Sequence, residues 1–281
     1  MNRTSFAVRA MTLASTCGVL GGAVIAQTQP TEFAITHAKI YTLAGAPIED
    51  GTVLIRDGKI AGVGANPAVP ADAKIIDGKG LSVYPGLFDP ITQMGLREIG
   101  AVSATVDTTE TGSYNPDVVA ATAVLPSSAH IPVTRAAGIT EVLAVPASGG
   151  FDSGGSASLL GGQASAIHMA GWTIEDMLIR KSAAMVIDWP RLETRSFDFS
   201  SFSVKEKPFT DAKKDYDKQL DQLADWIGQA RHYSLALEKS PATLQRDVKL
   251  ESLVPVVRGD LPVLVFADDQ REIRDAIVDC F

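Results

Sequence analysis

The chain has 281 residues, of which 46% are apolar, and it carries a formal net charge of -8. This length and apolar content suffice for one large domain with a smaller appendage. The acidic balance, with no basic run interleaved with aromatics, argues against nucleic acid and against an anionic membrane surface as partners.

Residues 1–26 have the organisation of an export signal. Arg3 and Arg9 form a positive amino-terminal region, residues 10–25 are uncharged and mostly apolar or small, and small or apolar residues precede Gln27. A stretch this short, with these flanks, is typical of a cleaved signal peptide rather than of a membrane span. We therefore expect an exported protein, periplasmic or secreted, with no membrane association after cleavage.

Two alternatives concern the same segment: an uncleaved amino-terminal anchor, and lipoprotein processing at Cys17, whose preceding Ser15-Thr16 fit that signal poorly. Cleavage before Gln27 would leave Cys280 as the remaining cysteine. An exported domain of this kind has no internal disulfide and depends on its hydrophobic core.

Residues 27–83 are predicted to form a small β-domain. Thr52–Arg56 and Lys59–Val63 flank Asp57-Gly58, a pair that supplies the positive φ angles of a two-residue hairpin turn. Asp77-Gly78 marks a second break. The segment therefore indicates short strands joined by tight turns.

Residues 84–281 alternate between apolar strands and helices. A helix is predicted over 211–238, where an apolar stripe recurs every three or four residues, and a second over 248–257, ending at Gly259. A third begins at Asp269, with Asp268 as a candidate cap. Strands are predicted at 81–88, 140–145, 164–169, 183–187 and 262–266. Alternating strands and helices imply an α/β fold with a parallel sheet or barrel.

The segment Tyr84-Pro85-Gly86-Leu87-Phe88-Asp89 resembles the start of the barrel in the amidohydrolase superfamily. Further strings make the chain similar to the imidazolonepropionase-like branch of that superfamily, and together they span effectively the whole mature chain. These strings are 51–60, 95–107, 131–140, 160–163, 250–255 and 261–268.

The resemblance implies a (β/α)8 TIM-like barrel of the metal-dependent hydrolase type, with a β-sandwich built from both chain ends. Residues 27–83 would be the amino-terminal portion of that sandwich. Residues 84–281 would be about five of the eight βα units, so the chain is expected to be truncated relative to the family.

The resemblance also implies a zinc site, and the matching positions here are substituted. The family's aspartate is followed by x-His-x-His, where this chain has Ile91 and Gln93. Residues 183–186 replace the strand-four lysine, and Phe266 replaces the strand-five histidine. Isoleucine and phenylalanine cannot ligate a metal, and glutamine is a weak ligand. We therefore expect no metal and no cofactor in this chain.

Four polar residues at predicted strand ends are the candidates for a ligand cleft, because strand carboxyl ends line the functional mouth of barrel folds. They are Asp89, Gln93, His168 and Asp268. Each of three has a structural alternative: Asp89 as a brace for its strand, His168 as a surface or partner-bonded histidine, and Asp268 as a helix cap.

Three hypotheses for function follow. The first, by resemblance, is a hydrolase of carbon–nitrogen, non-peptide bonds such as those of cyclic amides. The second is a non-catalytic exported homologue that binds a small molecule or another partner, and the third is an inert truncated fragment. The sequence leaves the catalytic residues, the substrate and the oligomeric state open.

Overall fold

A computed structural model of the chain describes residues 32–146, 158–198, 202–240 and 242–280. The predicted export signal lies outside these residues. The chain divides into two compact units, residues 1–85 and 86–281. This division falls close to the predicted boundary between residues 83 and 84.

The described residues of the first unit form one sheet. Its strands are β1 (Glu32–Ile40), β2 (Ile48–Arg56), β3 (Lys59–Gly64), β4 (Lys74–Asp77) and β5 (Ser82–Val83). The order is β3-β2-β1-β4, β5 also pairs with β1, and β4 and β5 run parallel to β1. The second sheet that a sandwich requires does not occur among the described residues of this unit, so the sandwich is not confirmed.

The predicted hairpin joins β2 to β3. Asp57 and Gly58 both have positive φ, 50° and 71°, as the two central residues of such a turn require. Ala38, Ile40 and Val53 form the buried core of the unit. The local sequence therefore determines the turn, and apolar alternation gives the sheet its buried face.

The described residues of the second unit form a five-stranded sheet, a separate two-stranded ribbon and five α-helices. The strands are β6 (Leu87–Thr92), β7 (Ile139–Ala144), β8 (Leu160–His168), β9 (Leu178–Asp188), β10 (Arg195–Asp198), β11 (Ser203–Glu206) and β12 (Val263–Phe266). The helices are α1 (His130–Ala136), α2 (Ile174–Met177), α3 (Phe209–Lys239), α4 (Val248–Val257) and α5 (Gln270–Cys280). The two longest predicted helices are confirmed, and α4 has the predicted bounds.

The five-stranded sheet is mixed, not parallel as predicted. Its order is β12-β9-β8-β7-β6, with β8 antiparallel to both β7 and β9. Only residues 169–177 connect β8 to β9, which is too short for a parallel crossover. A closed (β/α)8 barrel is therefore not confirmed, because the described sheet ends in two edge strands, β6 and β12.

The two faces of the sheet have different neighbours. Met185, Ile187 and Trp189 pack against α3 and α4. Ala184 and Val186 point to the other side and pack with residues of β7, β8 and β12, as strand alternation requires. We call this second side the inner face. No helix among the described residues is long and apolar enough to cross a membrane.

Candidate functional site

The carboxyl ends of β6, β7, β9 and β12 lie at one edge of the sheet, because these strands run in the same direction. This carboxyl edge carries Gln93, Val145, Asp188 and Phe266 at or just after the strand ends. Open α/β sheets and barrels bind ligands at such an edge, so the candidate site lies there.

Asp89 braces its own strand. Its Oδ1 accepts a hydrogen bond from the backbone N–H of Ile91 at 3.2 Å, and the pairing of β6 with β7 is irregular between Asp89 and Thr92. An aspartate that accepts from a backbone N–H two residues later stabilises a local bend. These contacts agree with the structural alternative for Asp89, a brace for its own strand.

Gln93 follows β6 at the carboxyl edge and is half-buried. β6 is one outer strand of the sheet and β12 is the other. Gln93 and Asp268, which follows β12, therefore lie after opposite outer strands in the sheet order.

His168 lies at the opposite edge of the sheet from the other candidates. It ends β8 and pairs with Glu141 at the start of β7, where its Nδ1 is 3.4 Å from Glu141 Oε1. His168 lies at this opposite edge because β8 runs antiparallel to β7. The expectation that His168 faces the same mouth as Gln93 is corrected by this topology.

Asp268 belongs to a charged cluster that we name the Arg191 cluster: Asp188, Arg191 and Asp268. Nη2 of Arg191 lies 3.0 Å from Asp268 Oδ2 and 3.8 Å from Asp188 Oδ1. The side chain of Asp188 is 2% exposed, that of Arg191 34% and that of Asp268 73%. A ligand can therefore reach Arg191 and Asp268, with Asp188 beneath them.

Sequence reasoning missed Asp188 and Arg191. Asp188 directly follows the apolar run Ala183–Ile187 of β9, and an acidic residue at the end of a buried strand is the signal that could have found it. Arg191 follows in the adjoining loop and carries no comparable signal. Its role is visible only from its contacts.

Asp268 does not cap α5 through its side chain. The backbone N–H groups of Asp268 and Asp269 both donate to Glu272 Oε2, at 3.1 and 3.2 Å, and Glu272 is buried. This is the half of a capping box in which the third helical residue reaches back. Glu272 thus does the capping, and the Asp268 carboxylate remains available to Arg191.

Backbone bonds hold the ends of β9 and β12 together under the cluster. The N–H of Trp189 donates to the carbonyl of Phe266 at 2.9 Å, and that of Asp188 donates to the carbonyl of Leu159 at 3.1 Å. The two residues at the start of the loop that carries Arg191, Asp188 and Trp189, are therefore fixed by backbone hydrogen bonds.

Tyr216 of α3 links this region to α5. Its hydroxyl accepts from Trp189 Nε1 at 3.3 Å and donates to Asp275 Oδ2 at 2.7 Å. Burial, and then the bond to Asp275, raise the pKa of Tyr216 to about 12. The phenol therefore keeps the proton that it donates to Asp275 at neutral pH.

Zinc, which the resemblance implies, does not fit the residues of this edge. Ile91 and Phe266 offer no donor atom, and Phe266 packs against the apolar inner-face cluster of Val145 and Val186. Among the described residues, no three His, Cys, Asp or Glu side chains are grouped so that they could hold a metal ion.

The comparison with known proteins supports the fold. No protein-family model matches the chain, and no curated protein matches it significantly. A solved structure, that of an amidohydrolase from Thermotoga maritima, is similar with a TM-score of 0.69 and 24% sequence identity. The match covers 88% of this chain and 61% of that one.

The chain thus spans about three fifths of the length of this structure. At this identity the likeness concerns the fold alone, and the imidazolonepropionase-like branch remains a prediction. What the comparison establishes is a mixed α/β chain whose fold is similar to that of this solved structure.

Proposed function

We propose that this protein binds a small molecule with a carbon–nitrogen, non-peptide bond, such as a cyclic amide, and hydrolyses that bond. The observation that carries the proposal is the position of the Arg191 cluster at the carboxyl edge of a sheet with an amidohydrolase-like fold. Ligands of such folds bind at this edge.

The exposed part of the cluster suits a neutral amide. The guanidinium of Arg191 donates hydrogen bonds and can polarise a carbonyl oxygen, whereas the carboxylate of Asp268 can accept from an amide N–H. A cyclic amide presents both groups side by side. Asp188 would not touch the ligand and would hold Arg191 in place.

Binding without hydrolysis is the second candidate, and a specific observation favours it. Zinc in the amidohydrolases would supply hydroxide at neutral pH, whereas Ile91 and Phe266, which the resemblance aligns with two ligand positions, have no donor atom in their side chains. Arg191 and Asp268 thus offer groups that can bind and polarise an amide without a metal centre.

Turnover of five- and six-membered cyclic amides, measured by mass spectrometry with and without added zinc, separates the candidates. The first candidate predicts hydrolysis that falls by about 100-fold in Arg191→Gln. Arg195→Gln, which alters the exposed pair with Glu206, should leave the rate of hydrolysis unchanged. Calorimetric binding without product would support the second. Neither binding nor product would contradict both and would match an inert chain.

A single histidine should not restore a zinc centre. We expect Phe266→His to gain no zinc-dependent hydrolysis, because one imidazole cannot hold the metal in place of several ligands. Elemental analysis and the same turnover assay check this. Zinc-dependent product formation by this variant alone would overturn the expectation.

We also propose export, with cleavage before Gln27, on the composition of residues 1–26. The intact mass of protein recovered from the periplasm or medium should be that of a chain that begins at Gln27. Recovery of the unprocessed chain in the membrane would instead indicate the anchor alternative.

A further inference from the structure

Asp188 places a carboxylate in surroundings that do not favour a charge. Its side chain is 2% exposed and extends from β9 on the same side as Ala184 and Val186, which belong to the apolar inner-face cluster. A buried ionised carboxylate is costly unless a cation lies close to it.

Arg191 brings a cation to this position. The same atom, Nη2, lies 3.8 Å from Asp188 Oδ1 and 3.0 Å from Asp268 Oδ2. The two carboxylates come from the ends of neighbouring parallel strands, β9 and β12. One guanidinium therefore bridges two adjacent strand ends.

We propose that Arg191 is the resident cation of this strand end, so that the acidic pair Asp188 and Asp268 is bridged by a guanidinium of the chain rather than by a divalent metal. A guanidinium stays charged at all accessible pH values, whereas a metal site needs deprotonated ligands and fails when they are protonated or the metal is removed. The proposal does not depend on whether hydrolysis occurs.

The residues of this edge do not suit zinc either. Positions 91 and 266 carry no donor atoms, and the carboxylates that remain at β9 and β12 already have a positive partner. A divalent ion would have to displace the guanidinium, and Asp188 and Asp268 would then be its two carboxylate ligands at this edge. The positive charge between these two carboxylates is thus supplied by a side chain.

Thermal unfolding of the signal-free protein tests the proposal, with Arg191→Gln, Asp188→Asn, the double variant and Arg195→Gln as the matched control. We expect Arg191→Gln to lower Tm by about 5–10 °C, since it removes the cation that lies 3.8 Å from a buried carboxylate. Arg195→Gln should leave Tm unchanged, because both members of its pair are exposed. Adding Asp188→Asn to Arg191→Gln should recover most of the loss.

Zinc binding supplies the second readout. The wild-type protein should retain less than about a tenth of an equivalent of zinc after incubation and dialysis, and chelator should leave its Tm unchanged. Stoichiometric zinc that is lost in Asp188→Asn would overturn the proposal, as would an Arg191→Gln variant as stable as wild type. If Arg191→Gln does not fold, the double variant decides: its folding supports the proposal and its failure contradicts it.

Discussion

Tyr216 is the residue at which three elements of the second unit meet. Its hydroxyl bonds to Trp189 after β9 and to Asp275 of α5, and the residue itself belongs to α3 and is 4% exposed. Phenylalanine at this position would keep the ring and remove both bonds. It would leave Asp275 and Trp189 without this hydroxyl partner.

We expect Tyr216→Phe to lower the free energy of unfolding by about 1–3 kcal/mol at neutral pH, because buried polar groups lose their partner. Urea unfolding measures this. Tyr233→Phe is a suitable control, since the Tyr233 hydroxyl accepts a bond from the backbone N–H of Asp247 at 3.4 Å and lies away from Asp275. Equal losses in the two variants would contradict a special role for Tyr216.

The pKa of Tyr216 predicts a pH dependence. Its folded-state pKa of about 12 lies above the ordinary value near 10, so the folded state holds the proton more tightly. The resulting stability is fully present below about pH 10 and is lost as the pH rises towards about 12. Tyr216→Phe should flatten this part of the stability profile, and parallel profiles for the two proteins would refute the assignment.

At the scale of elements, the orientation of β8 has the largest effect on the site. Because β8 runs against β7 and β9, its first residues, and not its last, lie at the carboxyl edge. Segment 113–119 bonds to this start: Asn115 donates its backbone N–H to Leu160, and Gln163 donates to Val118, both at 2.8 Å.

Substitution by alanine is expected to change stability in opposite directions at two glycines, Gly162 and Gly228. A Cβ on Gly162, whose φ is +110°, would lie 2.8 Å from the carbonyl oxygen of Val118, whereas a Cβ on Gly228 in α3 would meet nothing within 4 Å. We expect Gly162→Ala to destabilise by about 2–4 kcal/mol and Gly228→Ala to stabilise by about 0.5–1 kcal/mol. Urea unfolding of both variants provides the measurement, and the same sign for the two would contradict the packing of segment 113–119 on β8.

At the scale of the whole molecule, the hydrophobic clusters of each unit are made of that unit's own residues. Val53 belongs to the buried core of the first unit, and Met185 and Leu253 to that of the second. All three tryptophans, Trp172, Trp189 and Trp226, lie in the second unit. Tryptophan fluorescence therefore reports the unfolding of that unit.

We expect Val53→Ala to lower the free energy of unfolding of the first unit by about 1–3 kcal/mol, as followed by far-UV circular dichroism. The midpoint of the unfolding transition followed by tryptophan fluorescence should stay unchanged. Leu253→Ala should shift the tryptophan midpoint, because it opens a cavity in the second core. A tryptophan midpoint that moves equally in both variants would show that the two units unfold as one.

The sequence predicted much of the fold and little of the site. The hairpin at Asp57-Gly58 and the helices α3 and α4 follow from turn chemistry and local periodicity, and the structure has them. Of the four cleft candidates, only Asp268 joins the Arg191 cluster. Asp89 braces its own strand, and His168 lies at the other edge.

What the sequence alone determined are features set by neighbours along the chain: where the helices α3 and α4 occur, which turn joins β2 to β3, and which side chains lack metal-donor atoms. The tertiary structure alone decided the direction of β8, the capping of α5 by Glu272, and the meeting of Asp188, Arg191 and Asp268. These features depend on contacts between segments far apart in the chain, and local periodicity carries no information about which distant side chains will pair.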